Sequence, residues 1–171
     1  MSATRRLAVI RHAKSDQRAG GADHDRPING RGRRDAPALG RWLAQHLPPP
    51  DLVLCSSARR ATQTWDLAAA ELPAAPPLDV LPNLYQASPQ GVLAQLAEVD
   101  DVVVTLVVVG HEPVQSHLTD LLSGGAGDPD ALALLAEGFS TCGVALLETT
   151  SAWAELGPGS CRLAAFAVPR G

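Results

Sequence analysis

Several classes of protein are excluded by what this sequence has little of. Its three cysteines, Cys55, Cys142 and Cys161, are odd in number, widely spaced and never in a CxxC pair, which argues against a disulfide framework and a cysteine zinc site. They are expected to be buried thiols. The longest apolar run, Val102 to Val109, falls far short of the roughly 20 residues of a membrane-spanning helix. The opening MSATRR leads straight into strand-like sequence without the apolar stretch of a signal peptide, so a soluble, cytoplasmic protein with no membrane partner is expected. Aromatics are scarce as well. One Tyr and three Trp offer little for stacking bases, and the net charge is −4, so no nucleic-acid partner is expected. Gly 15 and Pro 14 are too few for a collagenous or disordered chain.

What is present suits one domain, residues 1–171. A chain of 171 residues, 46% hydrophobic, buries roughly 70% of its unfolded surface when it folds. The charge is unevenly spread: residues 1–60 carry 12 basic and 5 acidic side chains (+7), and residues 61–171 carry 2 and 13 (−11). A local site for a small anion fits that pattern. All the basic residues but Lys14 are Arg, weakly consistent with bidentate anion recognition.

Apolar runs and helical periodicity alternate along the chain. Arg6 to Arg11 reads as a buried strand followed by a long polar loop, Ala13 to Asn29. Ala36, Leu39, Trp42, Leu43 and Leu47 recur at helical spacing until Pro48-Pro49-Pro50 stops them. Asp51 to Cys55 reads as a second strand. Ser56 or Ser57 then caps a helix with Ala61, Trp65, Leu67, Ala68 and Leu72 inward. Leu78 to Leu81 suits an edge strand, and Ser88-Pro89 opens a helix to about Val99. Val102 to Val109, mostly β-branched without polar alternation, predicts a central parallel strand buried on both faces. Pro113 to Leu122 and Pro129 to Glu137 read as helices, and Gly143 to Glu148 and Arg162 to Val168 as closing strands. The pattern implies an α/β fold: a three-layer sandwich on a mainly parallel sheet with an antiparallel edge.

In such sheets ligands bind beyond the carboxyl ends of the strands. The residues there are Arg11-His12 after the first strand, Ser56-Ser57-Ala58-Arg59-Arg60 after the second at a helix start, and Gly110-His111-Glu112 after the Val-rich strand. An isolated His or Arg in such a place is usually structural, and His24, His46 and His117 are read that way. Three segments converging on one rim are another matter. Guanidinium forks neutralise phosphoryl oxygens, and a neutral imidazole is a nucleophile for phosphorus.

LAVIRHAKSD resembles the Arg-His-Gly motif of the histidine phosphatase superfamily, with Ala13 in place of Gly, and its Arg-His-Ala-Lys-Ser form is similar to the SixA-type phosphohistidine phosphatase branch. SSARRATQT resembles the Ser-x-x-x-Arg-Ala-x-Gln-Thr segment, which places Arg60 and not Arg59 at the second phosphate-binding Arg. VVVGHEP is similar to the strand ending in the second active-site His, here His111, and HDRPINGRGRRDA to the Arg-Pro-Leu-(Thr/Asn)-x-x-Gly stretch before the first helix. The resemblance spans about residues 6–168. It implies a phosphoglycerate mutase-like fold and a metal-independent phosphatase with no cofactor, in which His12 forms a phosphohistidine that water hydrolyses. Arg11, Arg60 and His111 would surround the phosphoryl oxygens, with Asp25, Asn29 and Ser57 as substrate-binding residues. Flanking guanidinium groups should lower the pKa of His12 and keep it neutral at pH 7.

The general acid departs from the family pattern. Phosphoglycerate mutase-type members carry Glu after the third strand, where Asn83, Tyr85 and Gln86 stand here. Glu112 and Asp25 are the alternatives, and a third is that no side-chain acid exists. A phosphoramidate leaving group can be protonated on its own nitrogen, so the third alternative favours phosphohistidine over alkyl phosphates. The expected partner is a phosphorylated protein or small phosphorylated molecule. Competing readings are a small-molecule phosphomonoesterase, a non-catalytic phospho-ligand binding module, disfavoured by an intact His12, and a phosphoglycerate mutase, disfavoured by the missing Glu and the short Pro73 to Pro89 insertion.

Overall fold

The computed structural model describes residues 4–171; Met1 to Ala3 of the opening MSATRR stretch lie outside the described residues. The elements run β1 (Arg5–Arg11), α1 (Gly30–His46), β2 (Leu52–Ser56), α2 (Arg59–Ala69), β3 (Leu78–Leu81), α3 (Pro89–Ala97), β4 (Thr105–Gly110), α4 (Val114–Ser123), α5 (Pro129–Ala136), β5 (Val144–Thr149) and β6 (Arg162–Ala167). Short 3-10 turns occur at Asp23–Asp25, Pro82–Leu84 and Trp153–Glu155. The six strands form one sheet in the order β3-β2-β4-β1-β5-β6. The pairs β2·β3, β2·β4 and β1·β4 are parallel, whereas β1·β5 and β5·β6 are antiparallel. This is the mainly parallel α/β sandwich with an antiparallel edge that the alternation implied.

The strands alternate between two cores, as a period of two dictates. Ala8, Ile10, Val107 and Val109 pack with Leu39, Leu43, Trp65 and Ala68 of α1 and α2 on one face. Leu7, Val9, Leu106 and Val108 pack with Val92, Leu96, Leu118, Leu122 and Leu135 of α3, α4 and α5 on the other. Three layers result. Helices α1 and α2 approach closely at Gly40, where an added Cβ would stand 2.1 Å from the Ala68 carbonyl oxygen.

Two boundaries differ from the sequence reading. Val102 is 78% exposed and outside the strand, and β4 begins at Thr105. Asp51 is the cause: its Oδ2 accepts from the amides of Val104 (2.9 Å) and Thr105 (2.8 Å), while Asp100 Oδ1 takes the Val102 amide (2.9 Å), so β-branched residues are diverted into a turn. Helix α2 is capped by neither serine. Its N-cap is Ala58, because both hydroxyls are engaged by histidines described below. Leu67 and Leu72, expected inward, are half-buried. The forecast at α3 fits, with Ser88 accepting from the Gly91 amide and Pro89 opening the helix. All three cysteines are free and buried, and burial pushes the thiols of Cys55 and Cys142 up to about 12.

Candidate active site

Parallel register assembles the site. Arg11 pairs with Gly110 across β1·β4, and Cys55 with Val109 across β2·β4, so the residues after all three strands emerge at one rim. His12 follows β1, its amide donating to the Gly110 carbonyl at 3.0 Å. Ser56 ends β2, and His111 follows β4. Gly110 leaves no room for a side chain: a Cβ there would stand 3.1 Å from the amide of Gln115, whose Nε2 donates to the Ile10 carbonyl at 2.7 Å beneath the rim.

The His12 imidazole is 8% exposed, and its Nδ1 lies 2.7 Å from the Ala13 carbonyl oxygen. A carbonyl can only accept, so Nδ1 carries the proton and Nε2 presents its lone pair. Ala13 is held in turn: its amide donates to Thr64 Oγ1 (2.8 Å), and that hydroxyl donates to the Arg60 carbonyl (2.6 Å). Arg60 Nε stands 3.3 Å from His12 Nε2. The His12 and His111 ring centroids are 5.1 Å apart.

Burial, above all, moves the pKa of His12 down to about 3, with further contributions from the charges of His111, Arg60 and Arg11 against the opposing Ala13 bond. The guanidinium effect expected from sequence is present but secondary to desolvation. His111 is lowered to about 4 by burial and by Arg60. Its Nε2 is 2.7 Å from Ser56 Oγ, and its Nδ1 is buried without a partner. Arg11 points Nη1 at the Phe139 carbonyl (2.7 Å), and its buried Nε is also unpartnered. Two imidazoles and two guanidinium groups thus form a neutral-plus-cationic pocket with unsatisfied donor capacity, the electrostatics a phosphoryl dianion requires.

Asp23 is the residue that sequence reasoning missed. Asp25, singled out instead, has a side chain 75% exposed whose contact is His24 Nδ1 at 3.4 Å. The 3-10 turn at Asp23–Asp25 aims the earlier carboxylate, itself 53% exposed, across the rim at Arg60 and Tyr85. Asp23 Oδ2 accepts from Tyr85 Oη (2.6 Å) and Arg60 Nη2 (3.1 Å), Oδ1 from Arg26 Nη2 (2.6 Å), and the Asp23 carbonyl from Arg60 Nη1 (2.8 Å). The bonds from Tyr85 and Arg26 hold this carboxyl well below the ordinary carboxylate range. Tyr85, one of the three residues after the third strand, lies with its ring 5.8 Å from His111 and 5.7 Å from the Arg60 guanidinium carbon.

The other sequence candidates fall elsewhere. Glu112 turns back onto its own helix, Oε1 accepting from the Ser116 amide and Oε2 from the Ser116 hydroxyl, both at 2.8 Å. Asn29 caps α1 by accepting from the Gly32 amide at 3.0 Å. Ser57 Oγ lies 2.9 Å from His24 Nε2, and the His24 ring meets Tyr85 edge to face at 4.8 Å, so His24 belongs to the rim rather than to the scaffold. His46, whose Nδ1 donates to the Trp42 carbonyl at 2.8 Å, is structural as read.

Comparison with known proteins identifies the family of the chain. Residues 7–87 match the model of the histidine phosphatase superfamily (branch 1), a span that includes Arg11, His12, Arg60 and Tyr85. A Mycobacterium tuberculosis protein of uncharacterised function is 43% identical over 162 residues, covering 94% of this chain and 100% of its own. The structure of SixA from Nakamurella multipartitia, named for a phosphohistidine phosphatase, superposes with a TM-score of 0.87 at 32% identity over 98% of each chain. That of SixA from Agrobacterium tumefaciens, similarly named, superposes at 0.80 with 28% identity, covering 96% of this chain and 98% of its own.

Proposed function

This chain is a phosphatase of the histidine phosphatase superfamily, in its SixA-type branch, and on that premise we propose that it hydrolyses phosphohistidine through a covalent phosphoenzyme on His12 without a metal ion. The observation that carries this reading is the tautomer of His12: Nδ1–H donates to the Ala13 carbonyl, and burial keeps Nε2 unprotonated at neutral pH.

The step follows from those groups. The Nε2 lone pair forms a bond to phosphorus as the P–N bond of the substrate breaks, and the departing imidazole keeps the electron pair and takes a proton from solvent water on that nitrogen. Arg11 and Arg60 neutralise the charge spread over the three transferring oxygens and the neutral His111 ring donates a hydrogen bond to it, where electrostatic positioning supplies most of the rate enhancement. Water then attacks phosphorus on His12, releasing phosphate and restoring the neutral imidazole. An incoming phosphoryl oxygen competes with Asp23 for Arg60, whose Nη1 and Nη2 bond to the aspartate carbonyl and carboxylate.

The arrangement of acids supports the phosphoramidate class. Glu112 is bound to Ser116, Asp25 faces outward, and Asp23 is ionised at neutral pH and is a poor proton donor. A leaving group that supplies its own protonation site needs no enzyme acid. The test is a hydrolysis panel in the presence of EDTA comparing phosphohistidine peptide, nitrophenyl phosphate and sugar phosphates. Phosphohistidine should give the highest kcat/KM, with nitrophenyl phosphate second. Preference for a sugar phosphate, or activity lost with EDTA, overturns the substrate class or the metal independence respectively.

A further inference from the structure

The peptide bearing Arg11 and His12 is gripped by a separate turn, residues 139–143, which lies outside every motif of the sequence. The Arg11 amide donates to the Gly143 carbonyl at 3.0 Å. The Cys142 amide is shared between the Arg11 and His12 carbonyls, 3.2 Å from each. Phe139 supplies the carbonyl that anchors the Arg11 guanidinium. One five-residue segment therefore fixes both backbone carbonyls at the nucleophile and the direction of the first phosphate-binding arginine.

That turn is a demanding conformation. Cys142 is fully buried with φ +60°, the one residue other than glycine with positive φ among the described residues. A side chain in the left-handed region is strained and persists when its surroundings enforce it. Gly143 closes the turn by donating to the Ser140 carbonyl at 2.8 Å, and a Cβ there would come within 2.7 Å of that oxygen.

The enforcement comes from across the molecule. Arg170 Nη1 donates to the Thr141 carbonyl and to Asp35 Oδ2, each at 2.9 Å. Asp35 is 2% exposed on α1 and also receives Arg31 Nε (3.3 Å) and the Gly171 amide (3.3 Å). A buried carboxylate with three donors is a fixed point, and Arg170 transmits its position to the turn. Neither Arg170 nor Asp35 touches the His12 cluster directly.

We infer that Arg170 and Asp35 are positioning residues for catalysis, holding the 139–143 turn so that it sets the orientation of the His12 imidazole and the Arg11 guanidinium. This rests on the proposed phosphatase reading and adds to it two residues far from the reacting atoms. Displacing a reacting group by about 1 Å can cost on the order of 10²-fold in rate, so loosening one of the anchors should cost about tenfold.

The experiment pairs steady-state kinetics on nitrophenyl phosphate with nitrogen-15 NMR of the His12 ring. Arg170→Ala should lower kcat, corrected for the folded fraction by near-ultraviolet circular dichroism, about tenfold with KM within twofold, and Arg170→Lys should recover part of the loss. The His12 Nδ1–H resonance should be single and sharp in the parent protein and shifted or exchange-broadened in Arg170→Ala. Asp35→Asn, which keeps the shape and weakens the grip, should fall between the two. A corrected kcat within twofold of the parent, or a loss expressed only in KM or only in the folded fraction, overturns the inference, as does an unchanged His12 resonance. If no phosphatase activity is found in the parent protein, the functional reading fails, while the NMR comparison still decides whether Arg170 orders His12.

Discussion

Lowering the pH from 7 to 5 should destabilise this protein through its two site histidines while leaving His12 neutral. In the unfolded chain each His titrates near 6.5, whereas in the folded protein burial holds His12 down to about 3 and His111 to about 4. Between pH 6.5 and those values the unfolded state binds more protons, so stability falls as pH falls. For one histidine that stays neutral in the native state, protonation of the unfolded form from pH 7 to pH 5 costs about 1.9 kcal/mol, and two independent sites give about 4 kcal/mol. In a chain of this length that corresponds to a drop in Tm of roughly 8–16 °C. Thermal unfolding at both pH values measures it, and His12→Asn should remove about half of the slope. A Tm that does not move, or a His12 ring that titrates near 6.5 by NMR, refutes the reasoning, because either means that burial does not exclude the proton.

Arg60→Ala should reduce kcat/KM on nitrophenyl phosphate by about 10²–10³-fold, since its guanidinium faces His12 Nε2, whereas Arg59→Ala, on the exposed side of the same helix start, should stay within threefold. Equal losses would mean that the two arginines have been assigned the wrong way round. Glu112→Gln should lower stability by about 0.3–1 kcal/mol, from its bonds to Ser116 at the start of α4, and should change the rates on alkyl and nitrophenyl phosphates alike. A larger rate loss on the alkyl ester would make Glu112 the general acid. Ser56→Ala removes the hydroxyl bonded to His111 and should slow turnover about tenfold with little change in Tm, checked by kinetics and calorimetry side by side.

Elements with a strong period were legible in the sequence. The Val-rich β4, the proline-stopped α1 and the Ser88-Pro89 opening of α3 all follow from local chemistry, and the rule for carboxyl ends of parallel strands then placed Arg11, His12, Arg60 and His111 together before any contact was known. Side-chain competition for backbone groups was not legible. Asp51 shortens β4 by capturing two amides, and Ser56 forgoes its capping role for His111; both depend on partners about fifty residues away. Asp23 was hidden for the same reason. Within one polar loop Asp23 and Asp25 look alike, and the choice rests on a 3-10 turn that aims the first at Arg60 and Tyr85 and the second at solvent. Arg170 and the 139–143 turn lie outside any pattern, since their link to His12 runs through backbone carbonyls.

The central claim is that phosphate passes through His12, and rapid-quench mass spectrometry during turnover of a phosphohistidine peptide tests it most directly. The account predicts a transient adduct of one phosphoryl group, stable to base and labile to acid, on the peptide containing His12, and its disappearance together with turnover in His12→Ala. Steady turnover by His12→Ala, or an adduct mapped to any other residue, contradicts it.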